Sequence, residues 1–306
     1  MSNDHGRILT IAAQEALASG DDRLRAKLAR QKHFVEHPGV EAIWSRLDEG
    51  FEDFPTAGDS HCLIVADPGM GKSQIGERYR DKHSVASLSG KYPVVYVGLI
   101  SSSARGFLAR ILEEVKAPYP PSGSADVLYP LVLRVLRSVE LRVLILDEFH
   151  HAYVGHREER AKLLFVIKQL GNDLKITIVG CGTVDALLAL QLDPQLERRF
   201  EPLPLGRWRD DKDGWGFLNG LESTLPLPEP SNLSDEDIAA WIFAESEGLT
   251  GAIDSMTRRA AVRAIALKKP SIDLPLLKSI KWIRPSLRRR EAEAIVKRGR
   301  PQPAFG

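Results

Sequence analysis

The 306-residue sequence has little of what marks secreted or membrane-spanning proteins. It contains two cysteines, Cys62 and Cys181, each inside an apolar run that is typical of a strand. We therefore expect buried reduced thiols rather than a disulfide, as in a reducing cytosol. No apolar run approaches the roughly 18 residues of a membrane-spanning helix. Residues 1–5 lack the basic start and apolar centre of a signal peptide. These absences predict a cytoplasmic protein with no membrane partner.

The sequence also lacks an overall charge. Its 42 lysines and arginines face 41 aspartates and glutamates, so the formal net charge is +1. This balance excludes a global basic field that would attract nucleic acid, so any DNA contact must depend on local clusters. Internal repeats and long low-complexity tracts are not apparent either. An apolar fraction of 43% is ordinary for a globular protein of one large or two smaller domains.

Residues 66–73 read Ala-Asp-Pro-Gly-Met-Gly-Lys-Ser and directly follow the apolar run of residues 61–65. This pattern indicates a strand that leads into a phosphate-binding loop for ATP. The glycines let backbone N–H groups point at the phosphates, Lys72 supplies a positive charge, and the Ser73 hydroxyl is a ligand for Mg²⁺. Ala66 stands where the first glycine of the motif usually does. The predicted nucleotide-contacting residues are Asp67, Pro68, Gly69, Met70, Gly71, Lys72, Ser73 and Gln74.

A second motif, Val-Leu-Ile-Leu-Asp-Glu at residues 143–148, supports the same chemistry. Its four apolar residues predict a strand buried on both faces, as in a parallel sheet. The strand ends in Asp147, the expected partner of Mg²⁺, and Glu148, the candidate base that polarises the attacking water. Acidic residues at an ordinary helix start are the alternative interpretation. The phosphate loop upstream makes ATP hydrolysis the better interpretation.

Strand and helix patterns alternate between residues 61 and 205, which predicts a parallel sheet covered by helices. The predicted strands are 61–66, 93–98, 142–147, 175–180 and 202–205. The predicted helices between them are 72–84, 104–116, 125–138, 157–170 and 184–191. Residues 8–50 read as helical, with Pro38 and the 51–55 stretch closing the segment. After residue 205 only short helices are predicted, at 211–222, 235–247, 251–267 and 273–280.

These patterns predict an α/β fold in four segments. A helical N-terminal segment (1–54) precedes a nucleotide-binding α/β domain with a five-stranded parallel sheet (55–206). A small all-helical lid domain (207–280) and a basic C-terminal tail (281–306) follow. One nucleotide-binding α/β domain followed by a small helical domain resembles the arrangement of AAA+ ATPases.

The AAA+ resemblance gives expected roles to three further residues. Thr183 follows the fourth predicted strand, where AAA+ proteins place a polar residue that contacts the attacking water or the γ-phosphate. A helix N-cap is the alternative role for Thr183. Arg198 and Arg199 precede the fifth strand, where an arginine of an AAA+ ring reaches the nucleotide of the neighbouring subunit. A surface ion pair, for example with Glu197, is the alternative for these arginines. The sequence does not show whether Arg198 or Arg199 is the one that reaches the neighbouring nucleotide.

Four stretches together resemble the TniB family, the AAA+ ATPases of Tn7-like and mercury-resistance-type transposons, related to TnsC. They are Asp-Pro-Gly-Met-Gly-Lys-Ser, Leu-Asp-Glu-Phe-His, Val-Gly-Cys-Gly-Thr and Gln-Leu-Glu-Arg-Arg-Phe, and the resemblance covers about residues 30–270. It implies a bacterial regulator of transposition that assembles with ATP into rings or helical filaments on double-stranded DNA. Such proteins recruit a DDE transposase, which triggers hydrolysis and disassembly. The family's lid often carries a nucleotide-sensing arginine, but residues 249–253 have none.

Candidate DNA contacts follow from the same resemblance, because the related filaments line their inner surface with loops and helix starts after the second and third strands. Ser102, Ser103 and Arg105 fit this description after the second strand, with helix capping as the alternative. Arg157 and Arg160 fit it after the third, where a charged solvated helix face is the alternative. We expect contacts to phosphates with little readout of base sequence.

The sequence leaves open the role of the basic tail and of His150, and it leaves open which of several alternative functions applies. The tail from Lys281 carries eight basic and two acidic residues up to Arg300, and a solvated or disordered terminal helix is the default for it. We expect His150 to orient Glu148 or to pack locally rather than to bind a metal, because no tetrahedral ligand set is nearby. Asp-Glu-Phe-His also matches superfamily 2 helicases, but the region after residue 205 is too small for their second lobe. A helicase-loader-like ATPase and a nucleotide switch that does not bind DNA are the alternative functions.

Overall fold

The computed structural model describes residues 8–52, 61–83 and 90–297, and their contacts form two compact units. The α/β unit runs from Pro38 to Gly206. The helical unit combines the chain up to His37 with the chain from Arg207 onward. Pro55, which was expected to help close the N-terminal helical segment, and Arg298 and Arg300 of the basic tail lie outside the described residues.

The α/β unit is built on a parallel five-stranded sheet, which confirms the predicted fold class. Its strands lie in the order β2-β3-β4-β1-β5. Their bounds are β1 His61–Val65, β2 Val94–Gly98, β3 Val143–Asp147, β4 Thr177–Gly182 and β5 Phe200–Pro204.

Helices account for most of the rest of the described chain. In chain order they are α1 Ile11–Ala18, α2 Asp22–Arg30, α3 Pro38–Glu52, α4 Lys72–Lys82, α5 Ala104–Glu114, α6 Ala125–Ser138, α7 Arg157–Leu174, α8 Asp185–Gln191, α9 Pro194–Glu197, α10 Lys212–Ser223, α11 Glu236–Ser246, α12 Thr250–Ala266, α13 Leu274–Lys278 and α14 Arg288–Lys297. Short 3₁₀ helices span Phe149–Tyr153 and Pro285–Leu287. Within the described ranges, no helix is long and apolar enough to cross a membrane.

The three central strands are buried along their whole length, which explains their continuous apolar sequences. Gly180 of β4 allows close packing here, because a Cβ atom at this position would lie 2.5 Å from Leu63 Cδ1 and 3.1 Å from Phe149 Cδ2. The two cysteines, on β1 and β4, are buried free thiols, as predicted. Burial raises the pKa of Cys62 to about 12.

Strand register brings the predicted functional motifs to one edge of the sheet. Val65 of β1 pairs with Gly182 of β4, and Gly98 of β2 pairs with Asp147 of β3. The carboxyl ends of four strands are therefore level. This is the edge at which open parallel sheets bind their ligands.

Several element boundaries differ from those predicted. Residues 8–50 form three helices rather than one segment, and Pro38 begins α3 rather than closing a helix. Proline is tolerated in a first helical turn because the N–H that it lacks would have no helical partner there. Strand β4 begins two residues later than predicted because α7 continues to Leu174 and ends at Lys175 in the left-handed conformation. The Phe149–Tyr153 3₁₀ helix and α9 were not predicted.

The compact units also divide the chain at positions other than the four predicted segments. Helix α3 belongs to the α/β unit, where Thr177 Oγ1 donates a hydrogen bond to Gly50 O at 3.0 Å. Helix α2 belongs to the helical unit, where Arg258 Nη1 donates to Arg30 O at 2.8 Å and Arg25 Nε to Pro226 O at 2.9 Å. Helix α14, in the predicted basic tail, has no buried residue.

Candidate functional site

The loop between β1 and α4 has the backbone of a phosphate cradle. Gly69 and Gly71 have φ angles of 84° and 88°, a left-handed conformation that glycine adopts without strain. Helix α4 begins after Gly71 without a side-chain cap, so its first-turn N–H groups remain available to an anion. The Met70 side chain, 2% exposed, anchors the loop in the unit. Asp67, Pro68, Ser73 and Gln74 complete the loop and the helix start, as predicted from the sequence.

Lys72 is held against this loop in a way that leaves capacity for a phosphate. Its side chain is almost buried, and Nζ donates hydrogen bonds to Ala66 O at 2.9 Å and Asp67 O at 3.0 Å. An ammonium group has three donors, so one remains for a ligand. Burial lowers the pKa of Lys72, whereas the carboxylates of Glu148 and Asp147 act in the opposite direction. The ammonium group thus lies within the field of both predicted carboxylates.

Asp147 lies at the end of β3 and is 7% exposed. Its Oδ1 accepts a hydrogen bond from the backbone N–H of Glu148 at 2.8 Å, and its Oδ2 accepts one from the Tyr96 hydroxyl. The Tyr96 hydroxyl also interacts with the Ser73 side chain. Ser73 and Asp147, the two predicted Mg²⁺ ligands, are therefore linked through Tyr96. Their oxygen donors are of the kind that Mg²⁺ prefers, so the residues present fit this ion.

Tyr96 is the site residue that sequence reasoning missed. It lies on β2 beside Ile145 of β3, within the run Val-Val-Tyr-Val-Gly. A polar-tipped residue in an otherwise apolar strand was the available signal. Its link to Asp147 could be inferred only from the sheet order, which places β2 next to β3.

Glu148 has a backbone conformation that is uncommon for its residue type. Its φ and ψ angles are 53° and 41°, and such left-handed non-glycine residues cost about 1–3 kcal/mol. Its side chain is half exposed, with Oε2 3.2 Å from Nδ1 of His150. His150 Nδ1 is nevertheless buried without a hydrogen-bond partner among the described residues, so the orienting role of His150 stays a prediction. Glu148 therefore presents a carboxylate to solvent at the edge of the sheet, where an attacking water would have access.

Thr183 follows β4, which lies between β1 and β3 in the sheet. The last residue of β4 bonds to the start of the phosphate loop, because Ala66 N donates to Gly182 O at 3.2 Å. Val184, rather than Thr183, is the N-cap residue of α8, and that cap makes no side-chain hydrogen bond. Thr183 thus lies between the phosphate loop and Asp147, and its nucleotide-sensing role stays a prediction.

Arg198 and Arg199 are not brought to this site within the chain. They precede Phe200, which pairs with His61 at the amino end of β1, whereas the phosphate loop follows the carboxyl end of β1. Five strand residues separate the two ends, roughly 16 Å. Arg199 Nη1 donates to Asn172 Oδ1 at 2.7 Å. Arg198 is exposed, and its side chain makes no hydrogen bond or ion pair with the described residues.

Four of the five predicted DNA-contacting residues have partners inside the chain, and one of these is Arg160, whose Nη1 donates to Tyr153 O at 3.1 Å. Ser102 is 4% exposed and its hydroxyl faces Glu159 Oε2 at 3.4 Å. Ser103 caps α5, because its Oγ accepts from Gly106 N at 3.1 Å. Arg105 Nε donates to Gly123 O at 3.1 Å, and its Nη2 donates to Pro121 O. Arg157, at the start of α7, is exposed. Arg157 is therefore the member of the set most accessible to a phosphate.

Comparison with models of known protein families shows to which family the chain belongs. The model of the bacterial TniB protein matches residues 25–210, which is more than half of the sequence. The chain belongs to the TniB family. This confirms the resemblance derived from the four sequence motifs. None of the curated proteins matches the chain in sequence.

Solved structures show which fold this TniB-family chain shares. The Aeropyrum pernix ORC2 protein, in its ADPNP–ADP complexes, superposes with a TM-score of 0.61 at 16% identity, over 82% of this chain and 70% of that one. The Aeropyrum pernix ORC1 protein in complex with DNA gives 0.60 at 15% identity, over 90% and 72%. The Thermotoga maritima RuvB Holliday junction branch migration motor gives 0.53 at 17% identity, over 90% and 82%. At these identities the likeness establishes the AAA+ fold alone.

Proposed function

We propose that this TniB-family protein is a Mg²⁺-dependent ATPase that assembles on double-stranded DNA in its ATP state and regulates transposition. The observation that carries the proposal is the convergence of Lys72, Ser73, Asp147 and Glu148 at one sheet edge. Membership of the TniB family supports the link to transposition and to a DDE transposase partner. Because transposition acts on the DNA of the cell, a cytoplasmic location in a bacterium is part of the proposal.

The residues of the site divide the work of hydrolysis. Lys72 and the first-turn N–H groups of α4 bind the β- and γ-phosphates, and Ser73 and Asp147 hold Mg²⁺. When bound, Mg²⁺ neutralises charge on the phosphate oxygens. Glu148 accepts a hydrogen bond from the attacking water and then its proton, and His150 holds the Glu148 carboxylate near the reaction path. Thr183 contacts the water or the γ-phosphate from the neighbouring strand.

Self-association completes the site, because Arg198 and Arg199 lie at the other end of β1 from the phosphates of their own chain. An arginine there can reach a nucleotide only if it belongs to a second copy. Arg199 must leave Asn172 to do so, whereas Arg198 is already exposed. Single substitutions of the two arginines, compared by ATPase rate at saturating DNA, decide which one acts.

An apolar stripe beside the two arginines supports the same assembly. Leu188 of α8 and the two residues that cap this helix, Val184 and Leu192, recur at four-residue intervals. Both caps have right-handed helical backbone angles, so the three side chains share one face. They are 61%, 42% and 46% exposed, whereas Ala186, Ala189 and Leu190 are buried on the other face. Exposed apolar faces of this kind mark protein interfaces. A second copy is the occupant that also brings Arg198 or Arg199 to a nucleotide.

The Leu188→Ser variant tests this surface. Loss of apolar contact area should weaken ATP-dependent self-association about tenfold, measured by sedimentation velocity with a non-hydrolysable ATP analogue. Val127→Ser is the matched control, because Val127 is 53% exposed on α6, outside this stripe. Equal self-association of both variants would exclude α8 from the interface.

DNA binding rests on the family and on the solved structures of similar fold, two of which contain DNA: the Aeropyrum pernix ORC1 protein and the Drosophila ORC. We propose phosphate contacts from the loops after β2 and β3, with Arg157 as a charged contact and Ser103 through its α5 helix start. Ser102 and Arg105 would contact DNA only after exchanging their present partners. Base sequence would contribute little to such contacts.

Electron microscopy with duplex DNA tests the proposal as a whole. Rings or helical filaments on DNA with a non-hydrolysable ATP analogue, and not with ADP, are the expected result. Added transposase should then disassemble the complexes formed with ATP. Particles that bind nucleotide but ignore DNA in both states would identify a nucleotide switch instead and leave the nucleotide site as the surviving part of the proposal.

A further inference from the structure

The Tyr96 side chain connects the two halves of the nucleotide site. Its hydroxyl donates to Asp147 Oδ2, at the end of β3, and interacts with Ser73, in the first turn of α4. The position on β2 was outside every motif recognised in the sequence.

The ring of Tyr96 is confined, so its hydroxyl has a defined place. A Cβ atom on Gly76 of α4 would lie 3.0 Å from Tyr96 Cε2 and 3.2 Å from Ile145 Cγ2. Helix α4 therefore packs its glycine directly on the ring. The guanidinium carbon of Arg80, one turn further along α4, lies 5.8 Å from the ring centroid. Such close packing holds the phenol against the Mg²⁺-ligand pair.

The direction of the hydrogen bonds follows from donor counting. A tyrosine phenol keeps its proton at neutral pH, because its ordinary pKa is about 10. A phenol has one hydrogen, and Asp147 receives it. Ser73 must then donate its own hydrogen to the Tyr96 oxygen. The lone pairs of Ser73 Oγ are left for a cation, while Asp147 is held in one orientation.

We propose that Tyr96 is a positioning residue for Mg²⁺, which orients Ser73 and Asp147 together so that nucleotide and metal bind cooperatively. The inference rests on the proposed nucleotide function and adds a residue to it. Tyr96 does not touch the phosphates in this account. Its removal should therefore affect nucleotide affinity when Mg²⁺ is present and spare it when Mg²⁺ is absent.

The Tyr96→Phe variant provides the test, because it keeps the confined ring and deletes the hydroxyl. A fluorescent ATP analogue is titrated into the full-length protein at increasing Mg²⁺ concentrations and, separately, with EDTA. We expect the Mg²⁺ concentration for half-maximal affinity to rise about five- to tenfold, the loss expected from one hydrogen bond. Affinity in EDTA should stay within about twofold of wild type.

Tyr79→Phe is the matched control. Tyr79 is a buried tyrosine of α4 whose hydroxyl also donates to a carboxylate, Asp48 Oδ1 at 2.8 Å. Burial and that hydrogen bond likewise raise its pKa. The control removes the same chemical group away from the site, so it should leave the Mg²⁺ dependence unchanged.

A double substitution separates positioning from a general structural effect. In an Asp147→Asn background, Tyr96→Phe should cause no further change in the Mg²⁺ requirement, because its target is already altered. An unchanged Mg²⁺ requirement in Tyr96→Phe, or equal losses of affinity with and without Mg²⁺, would overturn the inference alone. A wild-type protein that binds no nucleotide would instead overturn the proposed function.

Discussion

Two regions of this molecule bury carboxylates in different surroundings. In the helical unit Glu222 is 4% exposed and accepts hydrogen bonds from the backbone N–H groups of Ser231 at 2.6 Å, Asn232 at 3.2 Å and Leu233 at 2.9 Å. At the carboxyl edge of the sheet Asp147 accepts one backbone N–H and one side-chain hydroxyl, next to Lys72.

The two carboxylates differ in the groups that donate hydrogen bonds to them. Glu222 fastens a loop to its helix through main-chain donors, and these leave no evident place for a ligand. Asp147 is surrounded by side chains that themselves have unused donors or lone pairs, such as the third Lys72 donor. A buried carboxylate closed by main-chain donors thus stabilises the fold, whereas one bordered by a lysine and hydroxyls can accept a ligand.

The largest expected effect comes from removing the charge at the sheet edge. Lys72→Ala should lower ATP affinity by at least about 100-fold, because it deletes a charge-assisted contact to the phosphates, and nucleotide-dependent assembly should be lost. Lys82→Ala, which breaks an exposed ion pair with Asp48 further along α4, is the control. Isothermal titration with ATP measures both, and undiminished affinity in Lys72→Ala would remove this lysine from the site.

Glu148→Gln separates binding from hydrolysis in the same region. The variant should bind ATP like wild type but hydrolyse it about 100-fold more slowly, because glutamine cannot act as the base. Complexes on DNA should consequently persist in ATP. Turnover assays and electron microscopy check the two halves, and a normal turnover rate would exclude Glu148 as the group that activates water.

The helical unit should respond to acid through His37. This side chain is buried against Trp208 and Phe217, with ring centroids 4.7 and 6.1 Å away. Burial lowers the pKa of His37 to about 4, against 6.5 ordinarily. Between these values the unfolded chain binds the proton more readily, so stability falls as the pH drops from 6.5 towards 4. We expect a loss of about 2 kcal/mol from this residue.

His37→Phe tests that contribution, since it keeps an aromatic ring between the other two. Urea unfolding at pH 7 and pH 4.5, followed by tryptophan fluorescence, should show a smaller acid loss in the variant. An equal acid loss in both proteins would place the sensitivity elsewhere in the chain.

Glu222→Gln should have the smallest effect of the four changes. One of three backbone N–H groups loses its acceptor, at a cost of about 1–2 kcal/mol in the free energy of unfolding. The ATP affinity should be unaffected, in contrast to Lys72→Ala. Glu236→Gln, at an exposed position of α11, is the control for the loss of one charge. A drop in ATP affinity without a drop in stability would break the distinction between the two carboxylates.

Sequence predicted the parts of the fold that follow from local pattern. The buried strands β1 and β3 have continuous apolar runs that end in diagnostic residues, so the phosphate loop and Asp147 were located to the residue. The sequence did not reveal that Tyr96 bridges Ser73 and Asp147, because that contact depends on strand order. The membership of α3 in the α/β unit was missed for a similar reason, since its Gly50–Thr177 contact joins residues far apart in sequence.

The most direct test of hydrolysis shared between copies mixes two inactive variants. Glu148→Gln keeps both arginines but cannot activate water, whereas the double variant Arg198→Ala, Arg199→Ala keeps the site and lacks the arginines. Each alone should have a background ATPase rate with duplex DNA, and an equimolar mixture should recover a substantial part of the wild-type rate. Such recovery requires an arginine from one copy at the nucleotide of another. A mixture no more active than its separate components, or a fully active arginine double variant, would contradict hydrolysis shared between copies.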